Sequence, residues 1–117
     1  MTNHEIAVKW LTAFNAHNLN DLLSLYNNNA IHYSPKLKLK KPETNGLIKG
    51  KTTLGVWWQE AFDTMPELTY MQKKITANEE RVFMEYTRVV PGENDMNVAE
   101  VLEIENELIV ESRVYHG

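Results

Sequence analysis

The C-terminal stretch from residue 98 to residue 116 constrains the fold more than any other part of the sequence, because its side chains alternate like those of two adjacent strands. One face of the first run is apolar except for a single carboxylate, and it carries Val98, Glu100, Leu102 and Ile104. If Leu102 points into the protein, Glu100 does too, and a buried carboxylate is rare without a partner or a task. We therefore predict the last hairpin of a curved antiparallel sheet, with a carboxylate on its inner face.

Helical spacing dominates the first half of the chain, and extended alternation dominates the second half. Apolar residues at three-and-four spacing, such as Ile6, Trp10 and Phe14, predict an amphipathic first helix. The predicted elements are helices over 3–17, 20–26 and 52–64, a turn at 27–29, a loop over 36–50, and strands over 30–34, 68–76, 81–90, 97–105 and 108–116. Helices grouped apart from a run of strands indicate an α+β fold rather than a doubly wound sheet.

Length and composition limit the possible classes of function. With 117 residues, we expect one domain over 1–117. The chain has no cysteine and its four histidines lack ligand spacing, so we expect no disulfide, no thiolate nucleophile, no metal site and no other cofactor. The net charge of −4 argues against a nucleic-acid partner. Because no long apolar run or leader-like start is present, we expect a cytoplasmic protein with no membrane partner.

Several local patterns together resemble one known family. They are the run Trp10 to Asn20, Tyr26 followed by Asn27 to Ala30, Pro35 after the first strand, Gly50 before a helix with paired tryptophans, and the ending Ile109 to Tyr115. In these features the chain resembles the nuclear transport factor 2-like superfamily, and within it the SnoaL-like and ketosteroid isomerase-like proteins. The resemblance implies a cone-shaped α+β roll, also called cystatin-like, in which a curved mixed sheet wraps around N-terminal helices and encloses an apolar cavity.

The catalytic sets known in such proteins are not intact in this sequence. Ketosteroid isomerase-like members use a tyrosine, an aspartate base and a protonated aspartate, and the matching positions here are Trp10, Ser34 and Glu100. An indole gives up no proton in catalysis, and a serine alone is no general base. Epoxide hydrolase-like members use an arginine and aspartates, where this chain has Tyr86, Arg88 and a terminal glycine. The resemblance therefore implies the fold more strongly than it implies a reaction.

Strand parity places a set of polar side chains on the inner face, and two interpretations of them remain open. In the first, Glu100, His32 and Arg88 carry out acid–base chemistry on a small carbonyl compound. In the second, they form a hydrogen-bonded core network in which Arg88 neutralises Glu100. Burial would raise the pKa of Glu100, whereas contact with Arg88 would lower it. The expected ligand contacts are Trp10, Phe14, Ser34, Trp57, Trp58, Tyr86, Leu102, Ser112 and His116.

Two function classes follow from these interpretations. The chain is either an isomerase, cyclase or hydratase acting on a small apolar or aromatic carbonyl compound, or a non-catalytic ligand-binding or dimerisation module with a degenerate site. A homodimer through the outer sheet face is expected from Phe83, Ala99, Val101 and Tyr115. The six lysines within residues 36–51 indicate a solvated loop, a lid that attracts anionic ligands, or an edge strand protected by charge.

Overall fold

The structure is a computed structural model that describes residues 1–117 and places four helices against one six-stranded sheet. The helices are α1 (Asn3–Asn15), α2 (Leu19–Leu23), α3 (Pro35–Lys40) and α4 (Lys51–Thr64). The strands are β1 (Tyr26–Tyr33), β2 (Leu47–Lys49), β3 (Thr69–Ala77), β4 (Arg81–Val89), β5 (Met96–Glu105) and β6 (Leu108–His116). None of the four helices has the length and apolar character that crossing a bilayer requires.

The sheet is mixed, with the strand order β2-β1-β6-β5-β4-β3. Only β1 and β6 run parallel, and every other neighbouring pair is antiparallel. Register shifts interrupt the β1–β6, β3–β4 and β5–β6 pairings, and such bulges bend strands and increase their twist. The expected α+β roll with N-terminal helices on a mixed sheet is confirmed.

The long first helix covers the inner face of the sheet. A capping box starts α1, because Thr2 Oγ1 accepts from the Glu5 backbone N–H at 3.1 Å while Glu5 Oε1 accepts from the Thr2 N–H at 3.0 Å. The helix buries one stripe against β3 and β4, made of Ile6, Ala7, Trp10, Leu11, Ala13 and Phe14. The predicted amphipathic spacing thus gives the contact that shapes the core.

Period-two alternation separates the two faces of the central strands. On β4, Val82, Met84, Tyr86 and Arg88 are buried, whereas Arg81, Phe83 and Glu85 are exposed. On β5, Val98, Glu100, Leu102 and Ile104 are buried, as the sequence predicts. The four predicted C-terminal strands agree with β3 to β6 to within one residue at each end.

The asparagine run after the second helix is part of a strand, so the predicted turn at 27–29 is wrong. β1 already begins at Tyr26, and the Asn27 side chain accepts from the Asn29 N–H at 2.9 Å. This segment coincides with the register shift between Tyr26 and Ile31, where the β1–β6 ladder is irregular. A bulged strand tolerates side chains that bond to their own backbone, which is why turn-forming residues occur here.

The lysine-rich segment contains regular structure, so the predicted loop over 36–50 is wrong, and so is the edge strand over residues 36–40. Residues Pro35–Lys40 form α3, a 3₁₀ turn follows at Pro42–Thr44, and β2 pairs with β1. Ser34 caps α3, since its Oγ accepts from the Leu37 N–H at 3.3 Å, and Pro35 stands at the first helical position. A serine followed by proline is a helix-start signal, and it outweighs the alternation of lysine and leucine.

The smaller helices differ from the prediction at their ends. α1 ends at Asn15 rather than at residue 17, because His17 adopts a positive φ of 53°. α2 spans Leu19–Leu23 rather than residues 20–26, and it is capped by Asn18, whose side chain accepts from the Asp21 N–H at 3.1 Å. Gly50, with φ of 89°, precedes α4 in a backbone conformation that favours glycine.

Candidate functional site

A cavity of about 480 Å³ lies between the inner face of the sheet and helices α1, α3 and α4. Its size is in the range of pockets that hold small organic molecules. The aromatic part of its wall consists of Trp10, Phe14, Trp57, Trp58, Tyr70 and Tyr86. Polar and charged groups complete the lining, and they belong mainly to β1, α3, β4, β5 and β6.

Four of the aromatic rings form a nearly parallel stack. The ring centroids of Phe14 and Tyr70 are 3.9 Å apart, those of Tyr70 and Tyr86 are 4.1 Å apart, and those of Trp10 and Phe14 are 5.2 Å apart. The planes within these pairs differ by 21° or less. Trp58 meets Trp10 edge-on at 6.2 Å. Because packed rings leave little rotamer freedom, this wall is rigid and suits a flat apolar ligand.

Strand register arranges the polar lining in successive rows across the sheet. Glu100 lies between Met84 and Val114, and the next row holds Tyr86, Val98 and His116. Arg88 lies one row further along β4, opposite Met96. Each row advances by two residues, so inward-facing side chains follow one another along the cavity.

Glu100 is the only fully buried ionisable residue with a side-chain oxygen that has no hydrogen-bond partner. The Tyr86 hydroxyl donates to Glu100 Oε1 at 2.7 Å, whereas the buried Oε2 has no hydrogen-bond partner in the protein. Burial raises the pKa of Glu100 to about 8, and the hydrogen bond from Tyr86 only partly opposes this shift. The carboxyl group is therefore mainly protonated at neutral pH, and it can donate a hydrogen bond from Oε2.

A relay of hydrogen bonds determines the tautomer of His32. Trp10 Nε1–H donates to the Tyr26 hydroxyl at 3.0 Å, and this hydroxyl donates to Ser112 Oγ at 3.0 Å. Ser112 Oγ lies 2.6 Å from His32 Nδ1. An indole N–H can only donate, so Tyr26 accepts from Trp10, and Ser112 is the partner that takes the Tyr26 proton. The only other hydrogen-bond partner of Ser112 Oγ is His32 Nδ1, so Ser112 donates its own proton to Nδ1, and the imidazole carries its proton on Nε2.

His32 is consequently a hydrogen-bond donor rather than a base. Burial lowers the pKa of His32 to about 3, so the ring is neutral in the folded protein. It lines the cavity, and Trp58 packs edge-on against it at 5.5 Å. The neutral Nε2–H tautomer adds a second donor to the cavity beside the carboxyl group of Glu100.

Arg88 does not neutralise Glu100, so that part of the predicted network is wrong. Arg88 Nη1 donates to Glu93 Oε1 at 2.8 Å, and Nη2 contacts Met65 Sδ at 3.2 Å. Arg88 lies two rows beyond Glu100 along the sheet, and it pairs with the half-exposed Glu93, so it lies nearer the mouth than Glu100. Its charge is met by a turn residue, which leaves Glu100 without a cationic partner.

The structure brings most of the predicted site residues to one cavity, with two exceptions. Trp10, Phe14, His32, Ser34, Trp57, Trp58, Tyr86, Arg88, Glu100 and His116 all line it. Leu102 and Ser112 do not line it, and Ser112 instead contacts His32 Nδ1 from behind. Ser34 contributes its hydroxyl to the α3 cap, and His116 is exposed at the mouth.

Sequence reasoning missed Tyr26, Tyr70 and Glu93, and it named Lys36 only as one of the six lysines within residues 36–51. Tyr70 pairs with Arg88 across the β3–β4 hairpin, so the inward-facing position of Arg88 indicates that Tyr70 faces inward too. Lys36 follows the Ser34-Pro35 helix start, which turns α3 toward the cavity. Tyr26 and Glu93 depend on pairings across the fold, and no local pattern points to them.

Comparisons with known proteins identify the family. A SnoaL-like domain model matches residues 7–112. No curated protein matches the chain. A SnoaL-like protein of unknown function from Burkholderia thailandensis E264 is similar in structure with a TM-score of 0.88 and 24% identity, covering 98% of this chain and 93% of that chain.

Two further solved structures share the fold at lower identity. A protein from Kribbella flavida DSM 17836, assigned provisionally as a ketosteroid isomerase, has a TM-score of 0.81 and 14% identity, covering 98% of this chain and 77% of that chain. A ketosteroid isomerase-like protein from Catenulispora acidiphila DSM 44928, in complex with trimethylamine, has a TM-score of 0.74 and 20% identity, covering 97% and 86%. These likenesses establish the fold. The chain belongs to the SnoaL-like domain family, with the nuclear transport factor 2-like, ketosteroid isomerase-like fold.

Proposed function

We propose that the protein binds a small planar carbonyl compound in its cavity and polarises the carbonyl group with the carboxyl group of Glu100. The observation that carries this proposal is the buried Oε2, which has no partner in the protein although its carboxyl group lines the cavity. A buried polar atom without a partner is costly, and a ligand acceptor placed against it removes that cost.

The protonation state of Glu100 selects the kind of ligand atom. A neutral carboxylic acid donates from Oε2, so its natural partner is an acceptor such as a carbonyl oxygen. The stacked wall of Phe14, Tyr70 and Tyr86 favours a flat apolar body on the same ligand. His32, with its proton on Nε2, contributes a second donor to the cavity.

This arrangement supports acid catalysis of the kind that isomerases, cyclases and hydratases use. A hydrogen bond from an acid strengthens as negative charge develops on the carbonyl oxygen, which lowers the barrier to an enol-like state. A pKa of about 8 also allows Glu100 to release and regain its proton near neutral pH. Oxygen protonation is therefore the step that we assign to this residue.

The competing function is binding without catalysis, and two observations favour it. The hydroxyl of Ser34 is used to cap α3, and the lowered pKa of His32 makes its imidazole a poor base. The α-proton of a ketone would then leave to water rather than to a side chain. Both functions require the same carbonyl contact, and they differ only in whether a proton leaves carbon.

The test compares 2-acetonaphthone with 2-ethylnaphthalene, which has the same shape but no carbonyl oxygen. Calorimetric titration should show the ketone binding roughly tenfold more tightly, because one well-formed hydrogen bond is worth about 1 kcal/mol or slightly more. Glu100→Leu should remove this preference, and Glu105→Gln, an exposed change on the same strand, should leave it intact. Equal affinity of the two compounds for the unmodified protein contradicts the proposal.

A second measurement separates catalysis from binding. In D₂O, the acetyl methyl protons of 2-acetonaphthone exchange through the enol, and proton NMR follows their loss. Acceleration by the unmodified protein but not by Glu100→Gln supports the enzymatic function. Tight ketone binding with no acceleration supports the binding module.

An ammonium ion is the alternative occupant, because a relative of this fold was solved with trimethylamine. A cation requires ionised Glu100, so tetramethylammonium should bind more tightly as the pH rises through 8. The ketone requires protonated Glu100, and its affinity should fall over the same range. The direction of the pH dependence therefore identifies the ligand class.

A further inference from the structure

We infer that the mouth of the cavity holds a second subsite, which binds a carboxylate group of the same ligand, with Arg88 as its anchor and Lys36 as a supporting charge. This inference rests on the proposed function, because it assigns the polar end of the molecule whose carbonyl group meets Glu100. It makes the ligand an aromatic keto acid rather than a neutral ketone.

Arg88 is a buried cation whose N–H donors are only partly used in hydrogen bonds to other residues. Its side chain is 4% exposed and lines the cavity. Of its five donor N–H groups, one meets Glu93 Oε1 at 2.8 Å and another meets only the sulfur of Met65 at 3.2 Å. A thioether is a weak acceptor, so an incoming carboxylate can replace it at little cost and form a paired contact with the guanidinium group.

The charges around Arg88 are unbalanced. Lys36 and Lys40, both from α3, line the cavity with Arg88, and the acidic residues of the lining other than Glu100 are Glu60 and Glu93. Burial lowers the pKa of Lys36, and the positive charge of Arg88 lowers it further. The whole chain has a net charge of −4, so this local excess of positive charge does not follow from composition.

Glu93 is placed where a ligand can displace it. It belongs to the turn between β4 and β5, its side chain is 49% exposed, and Gly92 beside it has φ of 86°. A residue on an exposed turn moves away more easily than one on a strand. The Arg88–Glu93 ion pair therefore occupies the subsite in the absence of a ligand, and a ligand carboxylate competes with it.

The sheet register fits a ligand with its two polar groups at opposite ends. Arg88 is four residues beyond Met84, the partner of Glu100, which corresponds to about 13 Å along an antiparallel strand. The Arg88 and Glu100 side chains shorten this span where they reach toward each other. The aromatic stack lies in the same cavity, where it can contact the flat part of such a molecule.

The experiment uses probes that lack a ketone, and repeating it with Glu100→Leu separates binding at the subsite from a contact with Glu100. 2-Naphthylacetate, the carboxylate of 2-naphthylacetic acid, should bind roughly tenfold more tightly than 2-ethylnaphthalene, because the displacement of Glu93 offsets part of the gain from a charge-assisted contact, which is about twice as strong as a neutral one. Arg88→Met should abolish the difference, and Lys36→Gln should reduce it by roughly threefold. Glu93→Gln should tighten naphthylacetate binding several-fold, because it removes the competing carboxylate.

Lys38→Gln is the matched control, because Lys38 is on the same helix but is exposed and lies outside the cavity. It should leave both affinities unchanged. If Arg88→Met does not fold, Lys36→Gln and Glu93→Gln decide the matter by their opposite effects. Equal affinity of the two probes, or equal effects of Lys36→Gln and Lys38→Gln, overturns the subsite. Naphthylacetate preference that persists in Glu100→Leu, together with no ketone preference, supports the subsite while refuting the carbonyl contact.

Discussion

At the residue scale, burial favours the uncharged forms of both Glu100 and His32 in the same cavity. Both groups are buried and neutral at pH 7, one as an acid that keeps its proton and the other as a base that does not take one. Neither has an ionised partner of opposite charge. Their protonation states therefore follow from desolvation, and their effects on the stability of the fold change with pH in opposite directions.

The first prediction is that stability falls with pH above about 6.5 because of Glu100. Between its ordinary pKa of 4.5 and its folded value of about 8, the unfolded chain has lost a proton that the folded protein keeps, so stability falls as pH rises. His32 gives the reverse slope between about 3 and 6.5, where only the unfolded chain binds its proton. The slopes oppose each other from 4.5 to 6.5, and of these two groups only Glu100 acts above that range, at up to about 1.4 kcal/mol per pH unit.

Urea unfolding from pH 5 to pH 9 measures this effect. Glu100→Gln should remove the falling limb above pH 6.5, and Glu105→Gln, exposed on the same strand, should retain it. A falling limb that survives in Glu100→Gln would place its origin in another group.

The second prediction is that Tyr26 controls the tautomer of His32 from a distance. In the unmodified protein, nitrogen NMR shifts should identify a neutral imidazole with its proton on Nε2. The hydrogen bond from Tyr26 polarises the Ser112 hydroxyl and makes it a better donor, so Tyr26→Phe should weaken donation to Nδ1 and raise the population of the Nδ1–H tautomer. Tyr33→Phe, on the same strand but outside the relay, should leave the shifts unchanged. An Nδ1–H form in the unmodified protein would mean that the relay runs in the opposite direction.

At the element scale, α3 is a short helix whose existence depends on its cap. Ser34 supplies the only side-chain hydrogen bond at its start, and Leu37 is its buried residue. A six-residue helix is not stable alone, so the cap and this one apolar contact hold its lysines over the cavity. Gly46 packs so closely on the end of β1 that an added Cβ would lie 2.8 Å from the Ser34 carbonyl oxygen.

The third prediction is that Ser34→Ala loosens α3 more than it unfolds the protein. Loss of an N-cap costs about 1 kcal/mol, most of which falls on the local helix. Trypsin should cleave faster after Lys38 or Lys40 in this variant, while the midpoint of urea unfolding shifts only slightly. Thr52→Ala, near the start of α4 and without a capping role, is the control. Unchanged cleavage rates would show that Leu37 packing alone orders the helix.

At the scale of the whole molecule, the outer face of the sheet carries apolar side chains that the chain itself does not cover. Met71, Phe83 and Tyr115 are 59%, 43% and 49% exposed. The predicted dimer face included Ala99 and Val101, of which Val101 is buried within the chain. A surface of this kind on one sheet face is typical of an interface between copies.

The fourth prediction is a homodimer through this outer face. Sedimentation equilibrium at micromolar concentration should give twice the chain mass of 13.6 kDa. Phe83→Glu should give a monomer, because it places a charge in the centre of the apolar surface. Val56→Glu, at a 66% exposed residue on α4 away from the sheet, should remain dimeric. A monomer for the unmodified chain would contradict the prediction.

The sequence alone determined which side chains face inward. Strand periodicity is exactly two residues and helical periodicity is close to 3.6, so a local pattern sets the face of each residue once the element is assigned. That is why Glu100, Tyr86 and Arg88 were placed on the inner face, and why the stripe of α1 was correct. Where two local signals conflicted, as at residues 27–29 and 36–40, the prediction failed because tertiary pairing and capping decided between them.

Only the tertiary structure decided which inward groups meet. Parity places Arg88 and Glu100 on one face, but strand register separates them by rows, so Arg88 pairs with Glu93 and Glu100 pairs with Tyr86. Register depends on the sum of many weak contacts along a hairpin, and no single pair of residues encodes it. Burial depends on the packing of α1 and α4 over the sheet, and it sets the protonation of Glu100. The chemistry of the cavity therefore follows from distances that a linear sequence does not contain.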